Sequence, residues 1–177
     1  MNRKNIKQLV SDLNNVGIVS TVKEKIINLS SSEKKELVIN GNDYKIDGAT
    51  FEIGNDFTIE ICECEGCEIY AGDNCKIDIY VHEGVVRAGN NCKIRSEHNI
   101  DIIAKNNNNI TSGENSRIKV EDYNKITTLN SFVNIDGGKC NEVVMGTEFE
   151  YGSYVEYTVN LGENSKVHFG STSINIK

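Results

Sequence analysis

The chain of 177 residues contains no proline. No turn can depend on proline's fixed φ, so asparagine and glycine must supply the bends. Long apolar runs are also missing. Nothing approaches the ~20 consecutive apolar residues of a membrane span, and the N-terminal MNRKNIKQLVSDLNN lacks the apolar stretch of a signal peptide. Basic residues are outnumbered 19 to 26, leaving a net charge of −7. That balance argues against nucleic-acid binding driven by phosphate neutralisation, and suits solubility or a basic partner. An apolar fraction of 38% is low for a globular enzyme but enough for a thin, elongated core. Six cysteines without a secretion signal read as reduced thiols, and the expected compartment is the cytoplasm.

What is present is a repeat. GDNCKI at Gly72 recurs as GNNCKI at Gly89, and in looser form as GNDYKI at Gly41, GNDFTI at Gly54, GENSRI at Gly113 and GENSKV at Gly162. Aligned on the glycine, the sixth position is always β-branched and apolar: Ile46, Ile59, Ile77, Ile94, Ile118, Val167. The fourth runs Tyr44, Phe57, Cys75, Cys92, Ser116, Ser165, while the fifth is polar throughout. Positions four and six therefore share one side and position five the other, the period of a β-strand. The glycine and the Asx residue beside it tolerate positive φ and form a turn.

The spacings are 18 from Gly54 to Gly72, 17 to Gly89 and 24 to Gly113. Degenerate copies at Asn130 (Val133 and Ile135 inward) and Gly146 (Phe149 and Tyr151 inward) then give 17, 16 and 16 to Gly162. A period near 17 is too short for helical repeats or propeller blades and fits one rung of a β-solenoid, whose rungs must stack to bury their inner faces. The expected fold is all-β: a three-faced parallel β-solenoid over residues 36–177, with Cys75 and Cys92 at the same place on successive rungs. The 24-residue rung would bulge as a loop at KNNNNIT, Lys105 to Thr111. Residues 1–35 are expected to form a helical cap. Ile6, Leu9, Val10 and Leu13 fall at helical spacing before Gly17, and Thr21 with Glu24 can form a capping box for a second helix carrying Val22, Ile26 and Leu29.

AGDNCKI and AGNNCKI resemble the turns of hexapeptide-repeat, left-handed β-helix acyltransferases, and the layout of residues 41–177 is similar to bactofilin-type polymer-forming proteins. The second resemblance implies a right-handed solenoid without a catalytic site, and a structural or assembly role in a bacterium or phage. The first implies acyl transfer from acyl-CoA in a trimer, with a histidine as general base.

Cys62, Cys64 and Cys67 in ECECEGCE could offer three thiolates to zinc, with Cys75 or a glutamate as the fourth ligand. Core or surface thiols are the preferred reading, and no metal or other cofactor is expected. Cys75 and Cys92 are read as small core residues, since a disulfide between adjacent rungs is geometrically conceivable but disfavoured in a reducing compartment. Among His82, His98 and His168, His82 beside Glu83 is the best candidate base, against the blander and preferred reading of a solvated histidine. Lys76, Lys93 and Arg117 are expected to form one vertical column on the outer face; Glu60, Asp78, Arg95 and Lys119 form the next. Asn106 to Asn109 would supply a contact loop for a protein or glycan. The functional expectation is a non-enzymatic, self-associating scaffold, with the chain's own C-terminal rungs as its partner surface and hexapeptide-type acyl transfer as the alternative. No partner of nucleic acid or membrane is expected.

Overall fold

A computed structural model describes residues 3–31, 36–129, 132–146, 156–169 and 172–176, the side chains of 172–175 excepted. The elements in chain order are α1 (Ile6–Asn15), β1 (Val19–Lys23), β2 (Ile26–Ser30), β3 (Glu36–Asn40), β4 (Thr50–Ile53), β5 (Thr58–Cys62), β6 (Cys67–Ala71), β7 (Lys76–Tyr80), β8 (Gly84–Ala88) and β9 (Lys93–Ser96). They continue with β10 (Ile100–Ala104), β11 (Asn109–Ser112), β12 (Arg117–Val120), β13 (Lys125–Thr128), β14 (Val133–Gly137), β15 (Glu142–Met145), β16 (Tyr157–Leu161), β17 (Lys166–Phe169) and β18 (Thr172–Asn175).

From β3 to β17 the strands fall alternately into two sheets and pair in parallel with the rungs above and below, so the chain winds as a β-solenoid with an N-terminal helix. The sheets run β1-β2-β4-β6-β8-β10-β12-β14-β16 and β3-β5-β7-β9-β11-β13-β15-β17-β18. Each rung carries two strands, where three faces were expected; the four-residue turns are too short to hold a third. Ile59, Ile77 and Ile94 stack in one register, as do Ile69 with Val86 and Ala71 with Ala88. These inward residues are buried, Ala71 only in part. Each buried isoleucine contributes on the order of 1.5–3 kcal/mol of transfer free energy, so the column is the principal source of stability.

The two edges of the flattened coil differ. One edge is a series of seven four-residue turns: 54–57, 72–75, 89–92, 105–108, 121–124, 138–141 and 162–165. The first six carry a left-handed residue in their third place: Asp56, Asn74, Asn91, Asn107, Tyr123 and Cys140; Asn164 continues the series. Glycine at the head of a turn has a different task from the one expected of it. A Cβ on Gly89 would collide with Asp73 Oδ1 and lie 2.9 Å from the Gly72 carbonyl, so close approach of the rung beneath, and not positive φ, requires glycine there.

The motif at Gly113 belongs to the opposite edge, between β11 and β12. Ile118 accordingly stacks on Ile102 and Ile135, in the sheet opposite Ile94. The 24 residues from Gly89 to Gly113 are thus a full rung plus a half, and KNNNNIT does not bulge: Lys105–Asn108 is an ordinary turn and Asn109–Ser112 is β11. Cross-rung side-chain contacts give true steps of 18, 17, 16, 16 and 17, with 24 at the last. Of the degenerate copies, Val133 and Ile135 are buried as expected, whereas Asn130, Phe149 and Tyr151 lie outside the described residues.

Only the first of the two expected helices forms. Asn5 caps α1 in a capping box with Gln8, Leu9 and Leu13 bury its inner stripe, and Gly17 (φ +86°) follows its end. Val19–Ser30 forms the antiparallel hairpin β1–β2 instead of a second helix, turning at Glu24 (φ 58°). Val19, Thr21, Val22, Ile26 and Ile27 are β-branched, and the alternation that buries Ser20, Ile27 and Leu29 places β2 against β4. The helix is pinned to the end of the stack by Asn14, which brackets the backbone of Ser20, and by the Tyr44 hydroxyl donating to Asp12 at 2.8 Å. No helix among the described residues is long and apolar enough to cross a membrane.

Candidate functional site

The turn edge concentrates the unusual chemistry. Its inward position reads Phe57, Cys75, Cys92, Asn108, Asn124, Asn141 and Ser165. From Cys75 upward, each backbone N–H donates to the side chain one rung on. Cys92 N–H reaches Asn108 Oδ1 at 2.7 Å, Asn108 reaches Asn124 at 2.8 Å, Asn124 reaches Asn141 at 2.7 Å, and Asn141 reaches Ser165 Oγ at 3.1 Å. These residues are buried, and the ladder supplies partners that buried amides require. A second ladder runs outside it through the second turn position: Asp73 N–H to Asn55, Asn90 to Asp73, Asn106 to Asn90, Asp122 to Asn106 and Lys139 to Asp122. Ser116, expected in the inward column, lies on the opposite edge; Asn108, Asn124 and Asn141 take its place. The signal that could have found them is their phase, 16 residues from Cys92 to Asn108, then 16 and 17. Asn106 and Asn108 are committed to these ladders and Asn109 to β11, so the Asn-rich stretch is part of the wall and not a projecting contact loop.

At its head the column holds two thiols. Cys75 and Cys92 are each 2% exposed, and the Cys75 N–H donates to Cys92 Sγ at 3.4 Å. The Cys92 thiol, hydrogen-bonded to Cys75, and backbone N–H groups of Phe57 and Asp56 hold the Cys75 thiol down to about 7, against burial and the Asp56 carboxylate. The Cys92 thiol is pushed far up, first by Cys75 and then by its burial.

The cysteines of ECECEGCE do not converge. Cys64 and Cys67 are joined in a disulfide across the turn between β5 and β6, a correction to the expectation that all six are reduced thiols. Cys62 sits on β5 beside Glu60, to which it donates at 3.4 Å; burial and then that carboxylate raise its pKa to about 11. With two of the three sulfurs tied to each other, the proposed zinc set has no thiolates from Cys64 or Cys67 to use. No cluster of three His, Cys, Asp or Glu among the described residues could hold a metal ion.

The histidines are dispersed. His82 is exposed in the turn after β7, and its carbonyl accepts from Asn99 at 3.1 Å. His98 lies in the following turn of that edge, 3.5 Å from Glu114, and His168 is on β17, 3.4 Å from Glu142. The outer columns also differ from expectation. Lys76 and Lys93 stack, but Asn109 and Lys125 continue them; Glu60, Asp78 and Arg95 stack, followed by Thr111. Arg117 and Lys119 are on the other sheet, against Asp101 and Ile103, because the Gly113 motif is half a rung out of phase. An open groove of about 400 Å³ under α1 is lined by Leu13, Val16, Ile18, Leu37 and Val38 with Glu36 as its one charged group. Such an apolar lining offers no converging polar groups for catalysis.

The two ends of the coil are finished differently. β1 lies antiparallel on β2 at the start, and β18 lies antiparallel on β17 at the finish. The other sheet's last described strand, β16, pairs on one side with β14. Its inward Tyr157, Val159 and Leu161 are half-buried, whereas Val133 and Ile135 of β14 beneath them are fully buried.

Comparison with protein-family models, with curated proteins and with solved structures gave no match.

Proposed function

We propose that the protein is a non-enzymatic scaffold, a rigid β-solenoid that associates with copies of itself through its C-terminal rungs. The observation that supports this is the half-exposed inward row of β16. In every interior rung the corresponding row is buried by a further rung, and the sheet continues in hydrogen bonding to it. A strand that pairs with β14 alone among the described strands, and whose core residues are partly exposed, favours addition of another strand. A pair of such ends closes under two-fold symmetry, which limits the assembly to a dimer while α1 covers the opposite end. The side chains facing out of β16, Thr158 and Asn160, carry no charge to oppose close approach.

Size-exclusion chromatography with light scattering tests this. The wild-type chain is expected to behave as a dimer at micromolar concentration, and Val159→Asp as a monomer with its circular dichroism retained. A monodisperse wild-type monomer at high micromolar concentration removes the self-association reading. Saturable thermal stabilisation by CoA or acetyl-CoA would instead favour acyl transfer, because a ligand that binds only the folded state must raise its apparent stability.

A further inference from the structure

The stacked thiols at the head of the inward ladder have no counterpart in the rungs above. There the same position is filled by asparagine or serine, whose oxygen meets the neighbouring N–H at 2.7–3.1 Å. Sulfur is a poorer acceptor than an amide oxygen, so two cysteines are not the residues that best satisfy this backbone. They are the residues that place two sulfurs on adjacent turns of one column, with the Cys75 N–H donating to Cys92 Sγ at 3.4 Å. Occupying one position on adjacent turns, they have backbones about one strand spacing apart, ~4.8 Å, and a disulfide accepts Cα separations of roughly 4.4–6.8 Å.

We propose that Cys75 and Cys92 form a hydroperoxide-reactive pair, in which Cys75 is the attacking sulfur and Cys92 resolves the product as a cross-rung disulfide. The asymmetry of the pair assigns the roles. Cys75 receives the Cys92 thiol and two backbone N–H groups, the setting that stabilises a thiolate, while Cys92 keeps its proton. The charged groups facing the pair are Asp56 from the turn below and Asp73 from the turn of Cys75, and both oppose ionisation. Each sulfur also lies against carbonyls of the turns alone: Cys75 Sγ against Gly54 and Asp73 at 3.3 and 3.5 Å, and Cys92 Sγ against Gly72 and Asn90 at 3.3 and 3.5 Å. Both sulfurs lie in four-residue turns and not within a strand.

The chemistry balances with one hydroperoxide. The Cys75 thiolate attacks an oxygen of ROOH, the O–O bond breaks, and the alkoxide takes a proton from water to leave Cys75 as a sulfenic acid and ROH. The Cys92 sulfur then attacks the Cys75 sulfur; the S–O bond breaks, and hydroxide departs with the Cys92 proton as water. Two thiols are oxidised to one disulfide, and the hydroperoxide is reduced to an alcohol and water. In a reducing compartment such a bond is transient, as redox-sensing disulfides are.

The test treats the full chain with hydrogen peroxide, blocks remaining thiols and digests with trypsin. Cleavage after Lys45, Lys76, Arg87 and Lys93 places Cys75 in residues 46–76 and Cys92 in residues 88–93. A linked species of these two peptides, with fragmentation assigning the bond to Cys75, is expected. Its rate of formation is expected to rise about tenfold between pH 6 and pH 8, following ionisation of Cys75 near 7. Cys92→Ser should abolish the link and leave a sulfenic acid at Cys75 that a cyclic 1,3-dione traps; Cys75→Ser should give neither. Absence of the linked peptide in the wild type would overturn the pair. A rate flat in pH, or trapping at Cys92 in place of Cys75, would overturn the assigned roles, and both can be read on the wild-type chain if a variant fails to fold.

Discussion

The two edges of the solenoid solve the same problem, reversing the chain between sheets, in different ways. On the ladder edge every described turn has four residues, and each is bonded through its side chains to the turn of the next rung. On the opposite edge the turns vary. Glu63–Gly66 holds a disulfide, 81–83 and 97–99 have three residues, and 113–116 has four. Ser116 on that edge is satisfied within its own turn, its hydroxyl donating to the Glu114 carbonyl at 3.3 Å. The contrast teaches where periodicity comes from. Inward isoleucines constrain the strands of both sheets equally. Length is held to four only where a side chain must meet an N–H one rung away, since an inserted residue would break two bonds and strand a buried amide.

The largest effect should come from breaking the ladder. Asn141 accepts from the Asn124 N–H at 2.7 Å and donates to the Glu121 and Gly138 carbonyls at 2.9 and 2.8 Å. Asn141→Ala leaves the buried Asn124 N–H without its partner and removes one of the donors to each of the two carbonyls, at a cost of about 2–3 kcal/mol in unfolding free energy measured by denaturant titration. Ser116→Ala on the opposite edge should cost about 1 kcal/mol or less. Equal losses at the two sites would erase the distinction between the edges.

Next in size is the rung-to-rung approach at glycine. Gly89→Ala forces a methyl group into Asp73 and the Gly72 backbone, and should destabilise by about 1–3 kcal/mol. Gly54→Ala in the same column meets only the Phe57 ring at 3.8 Å, ordinary contact, so its melting temperature should stay near that of the wild type. A large loss at Gly54 would mean that the glycines serve the turn's own conformation and not its stacking.

Much of this was legible in the sequence, and each exception has its own physical cause. The pair GDNCKI and GNNCKI fixed the rung, the register of Ile77 on Ile94 and the stacking of Cys75 on Cys92. The half-rung slip at Gly113 was not legible, because both edges use the same chemistry: Asn115 on one and Asn91 on the other are both left-handed, at φ 54° and 59°. A turn motif states that the chain bends and leaves open toward which sheet. The asparagine ladder was hidden for the opposite reason. KNNN, EDYN and GKCN end in asparagine where GDNC ends in cysteine and otherwise share little with it, and only the phase of Asn108, Asn124 and Asn141 marks them as one column. At Thr21 and Glu24 the spacing fits a capping box, but β-branched neighbours and pairing with β4 decide for a hairpin. The disulfide of Cys64 with Cys67 escaped because a C-x-x-C spacing serves thiols, metal and disulfide alike.

The smallest expected effect sharpens the comparison at the head of the ladder, where sulfur replaces the amide. Cys75 has its pKa lowered in the folded chain to about 7 from an ordinary value of 9.0, principally by the Cys92 thiol. A depressed pKa contributes stability that is fully present above the unfolded value and is lost as pH falls through the folded one. Cys92 is raised, so its contribution is present below the unfolded value and is lost as pH rises beyond it. The two together make the pair's contribution largest near the ordinary thiol value and smaller toward pH 7. Other groups titrate too, so the quantity to measure is the difference in unfolding free energy between wild type and Cys75→Ser. That difference should grow in favour of the wild type from pH 6 to pH 9 and shrink above it. Asn141→Ala, whose ladder contains no ionisable group at that point, should show a gap that is flat over the same range. A flat profile for Cys75→Ser would mean that the sulfur column behaves as one more neutral stretch of the ladder.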